Sequence, residues 1–254
     1  MNRQTFVIIS VGERVPALNA LVDSILQFPR FQAFDLNLMF TGNQEQLARV
    51  RNRDRFRNVF VNPERTGCHA ARVDLLRRIR YGLYVNLDDD MVLTRHTNYD
   101  RALAKVCERG TGFVLTNWAR TEAQVERKAP KLRPEFVKQA LVYQGGGMAY
   151  RDEVADLMRA LPMVKQTFDH AWPLTAYVNG YTNYRDLSSL AVHRIMGKGG
   201  MSAFMDSNPP QLLMREYVTF RWAKRRRGNG HDVLIPLDQD LTPLAHAHHK
   251  ANKR

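Results

Sequence analysis

Residues 82–93, GLYVNLDDDMVL, decide the fold and the place where we expect ligands to bind. A short apolar run typical of a β-strand leads directly into Asp88, Asp89 and Asp90. In open α/β sheets, ligands bind beyond the carboxyl ends of the strands. Three adjacent carboxylates repel one another unless a cation or hydrogen bonds compensate their charge. Oxygen ligands at such a place suit Mg²⁺ or Mn²⁺, and these ions suit a diphosphate, although a helix N-cap with two solvated acids is the alternative.

Strand and helix patterns alternate on both sides of this segment. Apolar strand-like runs occur at 6–11, 35–40, 58–62, 112–118 and 141–151, and helix-period patterns occur at 17–28 and 67–79. This alternation predicts an α/β fold with a doubly wound, mostly parallel sheet. We expect one such domain over residues 1–205, followed by a basic helical extension and a mobile tail over residues 206–254.

The composition excludes several classes of protein. Of the 254 residues, 44% are hydrophobic and 25% are charged, which is typical of a globular protein and not of a collagen-like, coiled-coil or wholly disordered chain. No apolar run approaches the roughly 18 residues of a transmembrane helix, and no signal peptide is expected. The only cysteines, Cys68 and Cys107, cannot form a disulfide scaffold. We therefore expect a cytoplasmic protein, in the host cytoplasm if the source is a virus.

The net charge is the most unusual feature of the composition. The chain has 38 Lys+Arg against 25 Asp+Glu, a formal net charge of +13, and its arginines outnumber its lysines 29 to 9. Because a guanidinium group forms bidentate bonds with phosphates and carboxylates, this excess predicts a polyanionic partner. A codon bias towards arginine is the alternative.

The stretch from Gly67 to Asp90 resembles the GT-A glycosyltransferases, in which a "G…aaRn" helix precedes a strand that ends in an Asp-x-Asp motif. Asp88 and Asp90 occupy the two acidic positions, and Asp89 could replace either of them. The resemblance implies that Asp90 coordinates the metal on the donor diphosphate, and that Asp88 approaches the ribose or the metal. It also places Arg72 and the acidic triplet, including Asp89, at the donor site, whereas a surface position on the helix is the alternative for Arg72.

Three further motifs follow in the order that the family has. Residues 144–148, Gln-Gly-Gly-Gly-Met, resemble the glycine-rich loop that lines the donor sugar and the acceptor; its glycines are Gly145, Gly146 and Gly147. Residues 167–170 resemble the "x-Glu-Asp" segment with Phe in the Glu position, which makes Asp169 the implied general base, with a helix N-cap as the alternative. His193 matches the family's late histidine, which completes the metal shell, and a structural histidine is the alternative.

The pocket for the nucleotide base has a weaker pattern. Ser10, Gly12 and Arg14, directly after the first strand, match its general location. Residues 41–44, Thr-Gly-Asn-Gln, depart from the Asp-Asp-Gly-Ser-like run of the large inverting group, so recognition of the base stays open. The resemblance implies a nucleotide-sugar donor, expected to be UDP-linked, an Mn²⁺ or Mg²⁺ cofactor, and transfer of a hexose or pentose by direct displacement with inversion.

Basic clusters suggest what accepts the sugar. They lie at 49–57, 77–80 and 221–227, and aromatic residues are interleaved with the last one. The expected DNA-binding residues there are Arg221, Trp222, Lys224, Arg225, Arg226 and Arg227. Aromatic rings among arginines are typical of a nucleic-acid groove, which predicts DNA as the acceptor, as in viral enzymes that glycosylate hydroxymethylated pyrimidines on a flipped-out base. The alternatives are a glycan, lipid or protein acceptor, with the basic segment docked on a membrane surface, and a non-catalytic basic nucleic-acid-binding protein.

Overall fold

The computed structural model describes residues 3–64, 66–139, 146–161, 171–194, 219–226 and 232–240. The strands are β1 (Gln4–Val11), β2 (Asp35–Thr41), β3 (Phe56–Asn62), β4 (Leu83–Asp88), β5 (Met91–Val92), β6 (Thr111–Ala119), β7 (Phe136–Gln139), β8 (Met148–Arg151), β9 (Thr182–His193), β10 (Thr219–Arg226) and β11 (Asp232–Asp240). The helices are α1 (Val15–Gln27), α2 (Gln44–Ala48), α3 (Cys68–Arg78), α4 (Asp100–Cys107), α5 (Glu122–Lys128), α6 (Asp152–Arg159) and α7 (Ala171–Val178).

In the described part of the chain, β1 to β9 form one mixed sheet in the order β3-β2-β1-β4-β8-β6-β9-β5, with β7 paired to β9. The pairs β1–β2, β2–β3, β1–β4 and β6–β9 are parallel, which confirms the predicted α/β sheet. β8 runs antiparallel to both β4 and β6, and therefore β4 and β6 point the same way. Ile9 of β1 lies opposite Asp88 of β4, so the acidic triplet follows at the carboxyl edge of the sheet.

β1 shows how the sheet is buried on both faces. Phe6 and Ile8 pack in a core with residues of α1, whereas Val7 and Ile9 pack in a second core with residues of α3. Successive side chains of a strand point to opposite faces, so an unbroken apolar run is what a strand between two helical layers requires. Each such side chain contributes roughly 1.5–3 kcal/mol on full burial.

The start of α3 depends on a glycine. Gly67 has a φ of 82°, in the left-handed region that favours glycine, and α3 begins at the next residue. The helix packs against β1 and carries Arg72, whose side chain is only 5% exposed, towards the end of β4. Arg72 is therefore not a surface residue, and the alternative interpretation from the sequence is wrong.

The prediction of a helical C-terminal extension is wrong for residues 219–226 and 232–240. β10 and β11 pair antiparallel as a two-stranded sheet. β10 contains the β-branched or aromatic residues Thr219, Phe220 and Trp222, and β11 contains the β-branched residues Val233 and Ile235; such residues favour strands over a helix. The proposed boundary near residue 205 and the predicted mobile tail at 244–254 lie outside the described residues.

None of the helices in the described ranges combines the length and the hydropathy that crossing a membrane requires.

Candidate active site

In the turn that follows β4, the three carboxylates of the acidic triplet point in different directions. Asp88 and Asp90 each direct a carboxylate oxygen towards His193, and the three ligand atoms all lie within 4.8 Å of one another. His193 Nε2 is 3.0 Å from Asp90 Oδ1 and 3.6 Å from Asp88 Oδ2. The three residues that the sequence assigned to a metal are thus brought together.

Strand pairing brings His193 to the acids. β9 runs antiparallel to β5, with Met91 opposite His193, and the Arg194 amide donates a hydrogen bond of 2.8 Å to the Asp90 carbonyl oxygen. Because β5 begins directly after Asp90, this pairing holds the end of β9 beside the turn.

The ring of Trp118 also packs against His193, with centroids 5.5 Å apart and planes at 80°. Trp118 is half-buried and lies next to the end of β6, in the strand pattern predicted at 112–118. Sequence reasoning missed this residue as part of the site. The available signal was an aromatic residue at the carboxyl end of a predicted parallel strand, where ligands bind in such sheets.

Asp89 contacts the end of β1 instead of the ion site. Ser10 Oγ donates a hydrogen bond of 2.8 Å to Asp89 Oδ2, and Arg14 Nη1 lies 3.1 Å from Asp89 Oδ1. Burial raises the pKa of Asp89 to about 7, although Arg14 and Ser10 both oppose that rise. Ser10, Arg14 and Asp89 thus form one contact group, and their predicted donor-binding roles stay predictions.

Two arginines balance the charge of the triplet. Arg14 Nη2 lies 2.5 Å from Asp90 Oδ2, and Arg72 forms an ion pair with Asp88 Oδ1. Burial alone would raise the pKa of Asp90, but the hydrogen bond and charge of His193, together with Arg14, lower it below its usual range. Asp88 and Asp90 therefore each have one arginine partner, and both carboxylates also face His193.

The described part of the glycine-rich loop packs on the end of β4. A Cβ atom at Gly146 would lie 2.7 Å from Asp88 Oδ2 and 2.4 Å from Met91 Sδ. Gly147 has a φ of 74°, and its amide donates a hydrogen bond of 2.7 Å to the Asn86 carbonyl oxygen. Gly12 is similarly close to a neighbour, because a Cβ atom there would lie 2.2 Å from Gln46 Oε1.

Several predicted residues are not placed. Asp169, Gly145 and Arg227 lie outside the described residues. Strand β10 is described by its backbone alone, so no contact is assigned to the side chains of Arg221, Trp222, Lys224, Arg225 and Arg226. The first basic cluster, 49–57, runs from the end of α2 through a short 3-10 helix to β3, so its arginines belong to several elements.

The ligand set fits a divalent cation. Two carboxylates and one imidazole are donors that Mn²⁺ accepts readily, and carboxylates are the usual ligands of Mg²⁺. The absence of a side chain at Gly146 allows the Asp88 carboxylate to lie against the loop, because a Cβ atom there would be 2.7 Å from Asp88 Oδ2.

No family model matches the sequence, and no curated protein sequence matches it either. Solved structures do match. The mannosyltransferase PcManGT from Pyrobaculum calidifontis, in complex with GDP-Man and Mn²⁺, is 15% identical over 78% of this chain and 58% of its own, with a TM-score of 0.57. GalNAc-T7 with UDP, GalNAc and Mn²⁺ is 16% identical over 78% of this chain and 45% of its own, with a TM-score of 0.61. TarS 1–349 from S. aureus, with UDP-GlcNAc, is 14% identical over 79% of this chain and 60% of its own, with a TM-score of 0.57.

These similarities confirm the predicted fold: the chain has the GT-A fold of nucleotide-sugar glycosyltransferases. It spans 58% of the mannosyltransferase and 45% of GalNAc-T7, so substantial parts of those proteins have no counterpart in the match. The convergence of Asp88, Asp90 and His193 agrees with the metal site predicted from the sequence. Mn²⁺ is present in two of the similar structures.

Proposed function

We propose that this chain is a metal-dependent glycosyltransferase that moves a sugar from a nucleotide-sugar donor to a hydroxyl group. The observation that carries the proposal is the convergence of Asp88, Asp90 and His193 at the carboxyl edge of a GT-A sheet. The similar solved structures hold GDP-Man, UDP with GalNAc, or UDP-GlcNAc, which supports a nucleotide-sugar donor for this chain.

Asp88, Asp90 and His193 would hold Mn²⁺ or Mg²⁺. When bound, such an ion supplies positive charge to a leaving diphosphate. Arg14 and Arg72 hold guanidinium groups beside the same carboxylates, where they offer donors to phosphate oxygens. Gly146 and Gly147 add no side chain between a ligand and the end of β4.

Asp169 is the proposed general base. Its carboxylate would take the proton of the acceptor hydroxyl while that oxygen forms a bond to the anomeric carbon. The bond from that carbon to the diphosphate breaks in the same step, and the configuration inverts. The support for this role is the sequence motif at 167–170 and its place between the glycine-rich loop and His193.

The identity of the sugar acceptor is the more specific part of the proposal. DNA with hydroxymethylated pyrimidines is supported by the net charge of +13 and by the mixture of cations and aromatic residues at 221–227. A glycan, lipid or protein acceptor would use the same donor site, and a non-catalytic nucleic-acid-binding protein would use no donor at all.

Release of nucleoside diphosphate separates these possibilities. The protein is incubated with Mn²⁺ and a panel of UDP- and GDP-sugars, with and without duplex DNA that contains 5-hydroxymethyl pyrimidines. We expect donor turnover that is lost on chelation and in Asp90→Asn, but is retained in Asp100→Asn, which removes an exposed carboxylate at the start of α4.

The mass of the digested nucleosides then identifies the acceptor. A hexose or pentose added to the modified nucleoside supports DNA, and donor hydrolysis without DNA modification moves the acceptor to another class. Absence of turnover with every donor would contradict the proposed function.

A further inference from the structure

Trp118 presents part of an indole ring beside the candidate ion site. The ring packs at 80° to the His193 imidazole, with centroids 5.5 Å apart, and the side chain is only partly buried. In the described part of the chain, no group accepts a hydrogen bond from the indole N–H. Trp118 therefore offers both apolar surface and one hydrogen-bond donor next to the residues that would hold the ion.

The strands hold Trp118 in this position. β6 runs parallel to β9 with Trp118 opposite Ala191, and His193 comes two residues after Ala191. Because alternate residues of a strand share one face, Trp118 and His193 lie on the same face of the sheet. The residue before Trp118, Asn117, also donates a side-chain hydrogen bond of 3.1 Å to the Asp186 carbonyl oxygen in β9. The indole ring is thus part of the sheet edge and does not belong to a loop.

The strand order puts Trp118 on the opposite side of the ion site from β1. In the sheet, β4 lies between β1 and β8, and β6 follows β8. Ser10 and Arg14, within and just after β1, contact Asp89, whereas Trp118 lies near the end of β6. Neighbouring strands are about 4.8 Å apart, so the ends of β4 and β6 are separated by roughly 10 Å. This separation is comparable to the reach of a phosphate group and the sugar ring attached to it.

Backbone without side chains connects the ends of β4 and β6. The Gly147 amide donates a hydrogen bond of 2.7 Å to the Asn86 carbonyl oxygen in β4, and the Gly147 carbonyl oxygen accepts one of 3.0 Å from the Thr116 amide in β6. Since Gly146 and Gly147 have no side chains, neither residue places a side chain between a ligand at the ion site and Trp118.

We infer that Trp118 packs against the sugar of the nucleotide-sugar donor and helps to select it. The inference rests on the proposed function, because it concerns the group that a bound diphosphate would carry. A sugar ring combines an apolar face of C–H groups with hydroxyl groups at its rim. An indole matches both, since it has a flat apolar surface and a single N–H donor. Aromatic walls with a few polar groups are typical of pockets for small ligands.

The structure favours the sugar over the nucleotide base as the partner of Trp118. The base and the sugar are attached to opposite ends of the diphosphate. The sequence pattern predicts the base pocket at Ser10, Gly12 and Arg14, on the β1 side of the ion site. A diphosphate held at the ion site with its base on that side directs its sugar towards β6 and Trp118.

Two substitutions and one control test the inference. Trp118→Ala removes the ring, and Trp118→Phe keeps an aromatic ring beside His193 but removes the N–H donor. The control is Phe28→Ala, which removes another partly buried aromatic ring at the end of α1. α1 begins just after β1, so Phe28 lies towards the amino edge of the sheet, away from the ion site. Circular dichroism and thermal melting check that the three variants fold.

The measurement is isothermal titration calorimetry at saturating Mn²⁺. UDP-GlcNAc is compared with UDP and GDP-mannose with GDP, and any other donor that the wild type turns over is compared with its own diphosphate. Comparing each donor with its diphosphate isolates the sugar, because a change at the ion site affects both ligands equally. For the donor that is turned over, we expect Trp118→Ala to weaken binding by about tenfold and to change binding of the diphosphate less than about threefold. Trp118→Phe should lie between wild type and Trp118→Ala, and Phe28→Ala should match wild type.

Three outcomes would overturn the inference. They are equal losses of affinity for the donor and for its diphosphate in Trp118→Ala, unchanged affinity for both, and a rise of KM that is confined to the acceptor. Donor turnover by the wild-type protein is measured separately. Its absence rejects the proposed function, whereas turnover with donor binding that is independent of Trp118 rejects this inference alone.

Discussion

His193 Nε2 lies 3.0 Å from Asp90 Oδ1. This contact joins the last residue of β9 to the turn that follows β4. The contact depends on the antiparallel pairing of β5 with β9. Since a strand pair and not a free loop positions the imidazole, the backbone pairing itself preorganises the candidate ion site. Such preorganisation makes the site's ligands testable by ion binding alone.

The first prediction concerns His193. His193→Ala should weaken Mn²⁺ binding by at least about tenfold, because even the loss of an outer-shell partner of a metal ligand costs about 10–100-fold. Free Mn²⁺ is measured by electron paramagnetic resonance without any nucleotide. The control is His96→Ala, a histidine near Glu126 and away from the ion site. Equal Mn²⁺ affinity in wild type and His193→Ala would show that His193 is not a ligand.

The second prediction distinguishes the three aspartates. Asp88→Asn and Asp90→Asn should each lower Mn²⁺ affinity by about tenfold or more, while Asp89→Asn should change it less than about threefold. The reason is that the Asp89 carboxylate faces Ser10 and Arg14 and not the ion site. An asparagine at this position keeps an oxygen that accepts the hydrogen bond of the Ser10 hydroxyl. The same resonance titration measures all three variants, and a larger loss for Asp89→Asn than for its neighbours would reverse the assignment.

The third prediction uses the close approach of Gly146 to Asp88. Gly146→Ala adds a methyl group where a Cβ atom would lie 2.7 Å from Asp88 Oδ2, so the carboxylate must move and Mn²⁺ binding should fall. Gly110→Ala is the control, since no heavy atom lies within 4 Å of its Cβ position. Gly110 has a positive φ of 80°, so the control should lose stability and keep its affinity for Mn²⁺. Retained ion binding in a folded Gly146→Ala protein would contradict the predicted collision.

The fourth prediction is spectroscopic. Mn²⁺ should quench the fluorescence of Trp118, because the indole packs against the candidate ligand His193. Trp118→Phe should remove most of the quenching, and a chelator should reverse it in the wild-type protein. Trp172→Phe is the control, because Trp172 is buried and donates a hydrogen bond to His69. Quenching that survives in Trp118→Phe would place the bound ion elsewhere.

The fifth prediction concerns stability away from the site. Arg159 is 7% exposed and joins α6 to β4 and α3: Nη2 lies 2.6 Å from the Tyr84 hydroxyl and 2.8 Å from Asp152 Oδ1, and Nε donates to the Leu76 carbonyl oxygen. Arg159→Met should lower the free energy of unfolding by about 1–3 kcal/mol, because it removes the hydrogen bonds of a buried cation, while Tyr84 and Asp152 keep their bond to each other. Urea denaturation measures the loss, and Arg109→Met, at an exposed position, should change it by less than about 0.5 kcal/mol. A loss no larger than that of the control would show that the contacts around Arg159 contribute little.

Much of the fold was predictable because its strands and helices are locally encoded. The run at 6–11 is apolar because β1 is buried on both faces, and the helix pattern at 67–79 matches α3 within two residues. The strands β10 and β11 were missed because a cationic segment with aromatic residues fits a helix or a strand until pairing decides between them.

The candidate site was predictable in its residues but not in its arrangement. The family resemblance named Asp88, Asp90 and His193, and the structure brings them together. Trp118 was missed because an aromatic residue at the carboxyl end of a strand is a weak signal until the pairing of β6 with β9 brings its ring against His193.

The sequence by itself determined an α/β sheet with three acids at the carboxyl end of a central strand. The spacing of apolar residues along the chain distinguishes helices from strands, and unbroken apolar runs indicate strands that are buried on both faces. Only the tertiary structure decided which acids face the ion site. Successive residues in a turn point in different directions, so Asp88 and Asp90 meet His193 while Asp89 meets Ser10 and Arg14. That division depends on the β1–β4 and β5–β9 pairings, which join segments distant in the chain and leave no local pattern.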